Sequence, residues 1–214
     1  MPGGCAISTS DAVEIREGDA RDLEGLTEML TDAFLEDPFF RWLVSPGPTH
    51  RRRLSHFFTW FLHRALDDGT ILVADRLSGA LLVMPPDSWK LGIRQQLAEI
   101  GLGVRVFGVG RLLSRVLQVD ALERQAPSEK HFYIPLLATA SSMRSRGIGS
   151  ALLHRALGHA DASGLPTYLE NTNEANIDFY RHFGFEVLEV FRIARKGPPM
   201  WLMIRRAHGE RTSL

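Results

Sequence analysis

One cysteine, Cys5, is all that a chain of 214 residues contains. A single thiol can build neither a disulfide framework nor a thiolate metal site. An excess of one charge is also missing, because 25 Lys plus Arg balance 25 Asp plus Glu. That balance gives no electrostatic footprint for nucleic acid as the main partner. The densest basic run, His50-Arg51-Arg52-Arg53, opens an amphipathic segment and reads as a solvated helix start. Long apolar runs are lacking as well. The stretch from Ile100 to Leu117 is broken by Arg105, Arg111 and Arg115, which excludes a membrane span over it. The leader MPGGCAISTSDA has neither a basic start nor an apolar core, so no secretory signal is expected and the protein is expected in the cytoplasm.

What remains is ordinary for a globular protein, with 44% apolar and 23% charged residues. The length suits one domain with a sizeable core. The expected division is a disordered leader over 1–11, a domain over 12–206 and a polar tail over 207–214. Val13 to Arg16 reads as a strand and Asp19 to Leu35 as an amphipathic helix. Asp37-Pro38 interrupts that pattern, and a short aromatic segment with Phe39, Phe40 and Trp42 follows. Thr49 is placed to cap a helix running to Leu66. Thr70 to Ala74 and Ala80 to Met84 read as a hairpin. Ser88 to Arg124 forms a helical but glycine-interrupted insert. Strand signals return at His131 to Ala140, Thr167 to Glu170, Phe185 to Phe191 and Pro199 to Ile204. Helices fill the gaps at Ile148 to Asp161 and Glu174 to His182. Antiparallel strands followed by a strand–helix–strand–helix–strand run predict a mixed α/β fold.

Two clusters carry chemistry. The first follows the strand Leu136-Leu137-Ala138-Thr139-Ala140 and a polar turn. It reads Arg144-Ser145-Arg146-Gly147-Ile148-Gly149-Ser150 and opens a helix. A helix start offers unpaired N–H groups and the positive end of the dipole. Glycines admit an anion close to the backbone, and Arg144 and Arg146 add charges suited to phosphate oxygens. Together they make a pyrophosphate site. The second cluster, Asn176-Ile177-Asp178-Phe179-Tyr180-Arg181-His182-Phe183-Gly184-Phe185, puts Asn176 and Tyr180 on one helix face, roughly 6 Å apart along the axis. Gly184 ends the helix as a left-handed cap.

The spacing Arg-x-x-Gly-x-Gly, together with Asn-x-x-Phe-Tyr-x-x-x-Gly-Phe, resembles the GNAT superfamily of acyl-CoA-dependent N-acyltransferases. The segment Pro166 to Phe185 and the tail Gly197 to Met203 are most similar to its puromycin N-acetyltransferase branch. The resemblance implies a mostly antiparallel sheet, splayed between its fourth and fifth strands, with helices on both faces. It implies acetyl-CoA as co-substrate and no metal. The backbone of Leu137, Ala138 and Thr139 would pair with the pantetheine arm, and the amides from Arg144 to Ser150 would hold the pyrophosphate. Asn176 and Phe179 complete the cofactor-binding set, and Tyr180 would protonate the departing thiolate. Many family members place a glutamate on the strand before the glycine loop. Residues 131 to 143 contain no acid, so Glu170 is the replacement base, with His131 a second candidate. The acceptor is expected to be a small-molecule amine, approaching past Asp32, Glu36 and Asp37 beside Phe39, Phe40 and Trp42. The chain itself is expected as a monomer or homodimer, without a membrane partner. Two rival readings are a non-catalytic coenzyme A-binding domain and a dinucleotide enzyme using Glu170 at a ribose. The second lacks its third glycine, because Leu152 stands there.

Overall fold

The computed structural model describes residues 13–44, 46–86, 88, 100–195 and 197–207. The expected leader, Cys5 and the tail from 208 lie outside these. Seven strands form one sheet in the order β1-β2-β3-β4-β5-β7-β6. They are β1 (Ile15–Glu17), β2 (Thr70–Ala74), β3 (Gly79–Met84), β4 (Phe132–Thr139), β5 (Thr167–Asn171), β6 (Glu186–Arg192) and β7 (Pro199–Arg205). Every neighbouring pair is antiparallel except β4 and β5, which are parallel.

Seven α-helices accompany them among the described residues: α1 (Leu23–Phe34), α2 (Pro38–Val44), α3 (His50–Asp68), α4 (Ile100–Phe107), α5 (Leu112–Glu123), α6 (Ile148–Ala162) and α7 (Ile177–His182). Alternation along the strands decides which helices cover which face. Ile71, Val73, Ala80 and Leu82 pack under α1, α2 and α3, whereas Leu72, Ala74, Leu81 and Val83 pack under α6 and α7. Burial on both faces explains why β2 and β3 read as apolar runs without polar alternation.

Three local features differ from the sequence reading. The aromatic segment after Asp37 is the helix α2, with Pro38 at its first position and Asp37 as its cap. Asp-Pro marks a helix start here as much as a stop, because a proline at the first position loses no helix bond. Thr49 precedes α3 without making a side-chain capping bond. In the basic run at the start of α3, Arg51 pairs with Asp32, while His50 is buried and bonds the Leu35 carbonyl at 3.1 Å.

Residues 89–99 of the expected insert lie outside the described residues, and its part from Ile100 on folds onto the body of the protein. Val106 of α4 is buried in the main core. Arg115 of α5 lies 3.8 Å from the Trp42 ring centroid and donates to the carbonyls of Trp42 and Leu43 at 2.7 and 3.2 Å. It thus caps the C-terminus of α2, where a cation meets the negative end of the helix dipole.

Candidate active site

The strand β4 creates the cleft by leaving its partner. Its register with β5 holds only at Phe132↔Thr167 and Tyr133↔Tyr168. The β3–β4 register slips between Leu82 and Met84, opposite the same stretch. As a result Ile134 faces the α6 side, while Leu136, two residues on, faces the α1–α3 side. Pro135 sits at this flip, where a residue without an N–H breaks no ladder bond. Beyond it, β4 and β5 diverge around a cleft of about 720 Å³.

Alternation then sorts the amides of β4. The Ala140 N–H donates to the Ser78 carbonyl at 2.9 Å, and Ala138 pairs with Ala80 on the same edge. The backbone groups of Leu137 and Thr139 therefore point away from β3, toward the cleft. Of the three residues expected to meet a pantetheine arm, Leu137 and Thr139 present their backbone there and Ala138 turns its own to β3.

One end of the cleft is the glycine loop. A Cβ on Gly79 would lie 2.7 Å from Ile148 and 3.0 Å from the Ala138 carbonyl, so only glycine lets the first turn of α6 sit this close to the sheet. Gly147 precedes α6 at φ +78°, and Ser145, two residues earlier, has φ +60°. Residues in this left-handed region turn successive amides toward a common concavity that suits an anion. Arg144, Ser145, Gly147, Ile148, Gly149 and Ser150 line the cleft, whereas the exposed Arg146 lies off its wall. Gly149 faces Thr139 and Phe179, with a Cβ there falling 3.7 and 3.8 Å from them.

The opposite wall carries α7. A 3-10 turn over Glu174–Asn176 leads into it, and the Asn173 side chain accepts from the Ala175 amide to start the turn. Asn176 and Tyr180 both line the cleft, Asn176 exposed and Tyr180 buried. Gly184 follows the helix at φ +86°, as expected. Arg205 fixes this end by donating to the Phe183 carbonyl at 2.9 Å and to both Asp161 oxygens at 2.6 and 2.9 Å. Burial pushes the Tyr180 phenol well above its ordinary value, so it stays protonated at neutral pH.

Glu170 stands near the end of β5 and is mostly buried. Burial raises its carboxyl to about 7, opposed by the Tyr133 hydroxyl, which donates to Oε2 at 2.5 Å. The Tyr168 hydroxyl also lowers it, although it has no hydrogen-bond partner among the described residues. Glu123, at the end of α5, pushes the value up. A carboxyl near 7 is poised for proton transfer. The second candidate base, His131, is buried against Tyr168 with ring centroids 5.4 Å apart, and it is absent from the cleft wall.

Of the residues expected around an acceptor, Glu36, Asp37, Phe39 and Phe40 line the cleft. Asp32 pairs with Arg51 outside it, and Trp42 stacks behind Phe39 with centroids 6.1 Å apart. Sequence reasoning missed Tyr133, which only the parallel register carries to Glu170. It also missed the tie from Thr172 to Asp37, a 2.8 Å bond between residues 135 apart in sequence. No group of three or more potential metal ligands occurs among the described residues, and no helix there is long and apolar enough to cross a membrane.

Comparison with known proteins agrees with this architecture. The chain is 23% identical over 206 residues to an uncharacterized N-acetyltransferase, C550.08, of Schizosaccharomyces pombe, covering 90% of this chain and 83% of the relative. A crystal structure of histone acetyltransferase HPA2 and related acetyltransferase from Corynebacterium glutamicum superposes with a TM-score of 0.72 at 25% identity, covering 91% and 96% of the two chains. A chain of the NatC complex bound to Gag peptide and CoA superposes with a TM-score of 0.52 at 15% identity, covering 91% and 98%. The model of the acetyltransferase (GNAT) family matches residues 27–185. With that match over most of its length, the chain belongs to the GNAT acetyltransferase family.

Proposed function

We propose that the protein transfers the acetyl group of acetyl-CoA to a primary amine of a small molecule, by direct attack within a ternary complex. The observation that carries this reading is one cleft lined by a concave glycine loop, strand amides turned away from β3, a protonated phenol and a carboxyl near 7. The residues present fit coenzyme A. The concave loop from Arg144 to Ser150 suits a diphosphate, and the edge of β4 at Leu137 and Thr139 suits an amide-bearing arm. The CoA bound to the NatC complex, one chain of which shares this fold, supports that fit.

Each residue has a task. A primary amine near pKa 10 arrives charged at pH 7, and Glu170 takes its proton directly or through water. The Leu137 N–H faces the acetyl carbonyl and stabilises the charge that grows on its oxygen. Tyr180 gives its proton to the sulfur as the carbon–sulfur bond breaks. Burial raises the phenol above its ordinary value, and the same desolvation raises a thiol held beside it, so the proton can pass as the bond breaks. Asn176 and Phe179 hold the arm beside Tyr180. The likeness of Pro166 to Phe185 to the puromycin N-acetyltransferase branch supports a strand-end glutamate paired with this tyrosine.

The test is thiol release from acetyl-CoA with a panel of amines, puromycin included. Tyr180→Phe should lower kcat about 100-fold and leave the acetyl-CoA Kd within twofold. An unchanged kcat removes Tyr180 from the mechanism. Tight acetyl-CoA binding without release on any amine favours a sensing domain instead.

A further inference from the structure

The cleft is divided by charge. Its only cation among the described lining residues is Arg144, in the glycine loop. The other end carries Asp37 and Glu170, joined through Thr172, whose hydroxyl bonds Asp37 Oδ2 two residues beyond Glu170. Glu36 also lies there but pairs with Arg41 at 2.5 Å. Asp37 is held by three bonds: Oδ1 accepts the Phe39 and Phe40 amides at 2.9 and 3.1 Å, and among the described residues Oδ2 accepts only the Thr172 hydroxyl. A carboxylate oxygen has two acceptor sites, so Oδ2 keeps one. Phe34, Phe39, Phe40, Leu122 and Met200 line the same cleft and give it apolar surface.

A carboxylate in a partly desolvated cleft wall is stabilised by a cation that pairs with it, and Asp37 lines that wall with an acceptor site to spare. We propose that Asp37 binds the ammonium form of the acceptor, and that the site selects primary amines on an apolar, ring-sized body carrying no carboxylate. This inference rests on the acetyl-transfer reading and names its substrate class. A carboxylate beside the amine, as in a free amino acid, meets Asp37 and Glu170, and no cation lines that end among the described residues, Arg41 being paired with Glu36. Both acids favour an ammonium at this end of the cleft, and Glu170 takes its proton directly or through water.

The test compares phenethylamine, phenylalaninamide and phenylalanine as acceptors, with thiol release as the readout, in wild type and Asp37→Asn. Phenylalaninamide and phenylalanine differ by one charge at constant size. The wild type should use the first two, with kcat/KM for phenylalanine on the order of 100-fold below that for phenylalaninamide. Asparagine caps a helix as well as aspartate, so Asp37→Asn should keep its fold and its unfolding midpoint. Its KM for phenethylamine should rise about tenfold, and the gap between phenylalaninamide and phenylalanine should close by about the same factor. A purely capping role for Asp37 leaves that gap unmoved and overturns the proposal. Phenylalanine within tenfold of phenylalaninamide in the wild type does so too. Turnover confined to acid-bearing amines overturns the acceptor class but leaves acetyl transfer standing, whereas bound acetyl-CoA with no release on any amine overturns both.

Discussion

Glu170→Gln separates the two consequences of burying a carboxyl. The change keeps the side-chain shape and one oxygen to accept from Tyr133, and removes the charge. The native carboxyl titrates at about 7 instead of 4.5, with burial as the main cause. Its folded value is raised, so the folded state holds a proton that the unfolded chain has already released between these two pH values. The stability this gives is complete below about 4.5 and is lost as the pH climbs through 7. At 1.36 kcal/mol per unit, the ionised group costs the native state about 3 kcal/mol at pH 8 and about 1 kcal/mol at pH 5. Glutamine escapes that cost at both values. Its effect on Tyr133 packing is the same at both pH values and cancels in the comparison. The variant should therefore gain about 2 kcal/mol more over wild type at pH 8 than at pH 5, or roughly 4–8 °C in the midpoint for a chain of this size. Thermal unfolding followed by circular dichroism at both pH values, at one ionic strength, reads this directly. The same variant should lose at least about 100-fold in kcat at pH 7, because the base is gone. A gain that does not depend on pH, or a loss of stability at pH 8, refutes the assignment of a desolvated carboxyl to this position.

Tyr133→Phe removes a charge-assisted donor worth about 1.5–3 kcal/mol to the ionised form of Glu170. The rising limb of kcat against pH should shift upward by about 1–2 units from its position near 7; a fixed limb shows that Tyr133 does not act on the base. Arg205→Met strips a buried guanidinium from Asp161 and from the carbonyl that ends α7. It should cost about 3 kcal/mol in denaturant unfolding, and Asp161→Leu in the same chain should recover part of that loss. Gly149→Leu places a side chain toward Thr139 and Phe179 at the glycine loop. It should weaken acetyl-CoA binding by more than about tenfold in calorimetry while shifting the unfolding midpoint little.

Much of this was legible in the sequence where the signal was local. The periodicity of Leu23, Leu26 and Leu30, the strand runs of β2 and β3, and the left-handed turn at Gly184 are set within a few residues. The glycine loop and the Asn176–Tyr180 pair were legible for the same reason, since one helix start or one helix turn contains each. What stayed hidden depends on contacts between distant segments. Tyr133 meets Glu170 only because two parallel strands share a register for two residues before they part. Asp37 was expected on the acceptor side, but the bond from Thr172 that ties it there across the fold was not. The helix α2 was hidden for a different reason, because Asp-Pro serves equally to stop one helix and to start another. The turn at Gly108 interrupts the insert as its glycines imply, whereas the docking of α5 through Arg115 against Trp42 is a contact that composition alone does not specify. His131, a second candidate base otherwise expected at the surface, is instead turned into the core.

The most direct test of the whole account is the structure of the protein with acetyl-CoA. The account predicts the diphosphate on the amides between Arg144 and Ser150, the pantetheine arm along Leu137 and Thr139, and the sulfur within about 4 Å of the Tyr180 hydroxyl. Cofactor density elsewhere, with that loop empty and the hydroxyl far from sulfur, contradicts it.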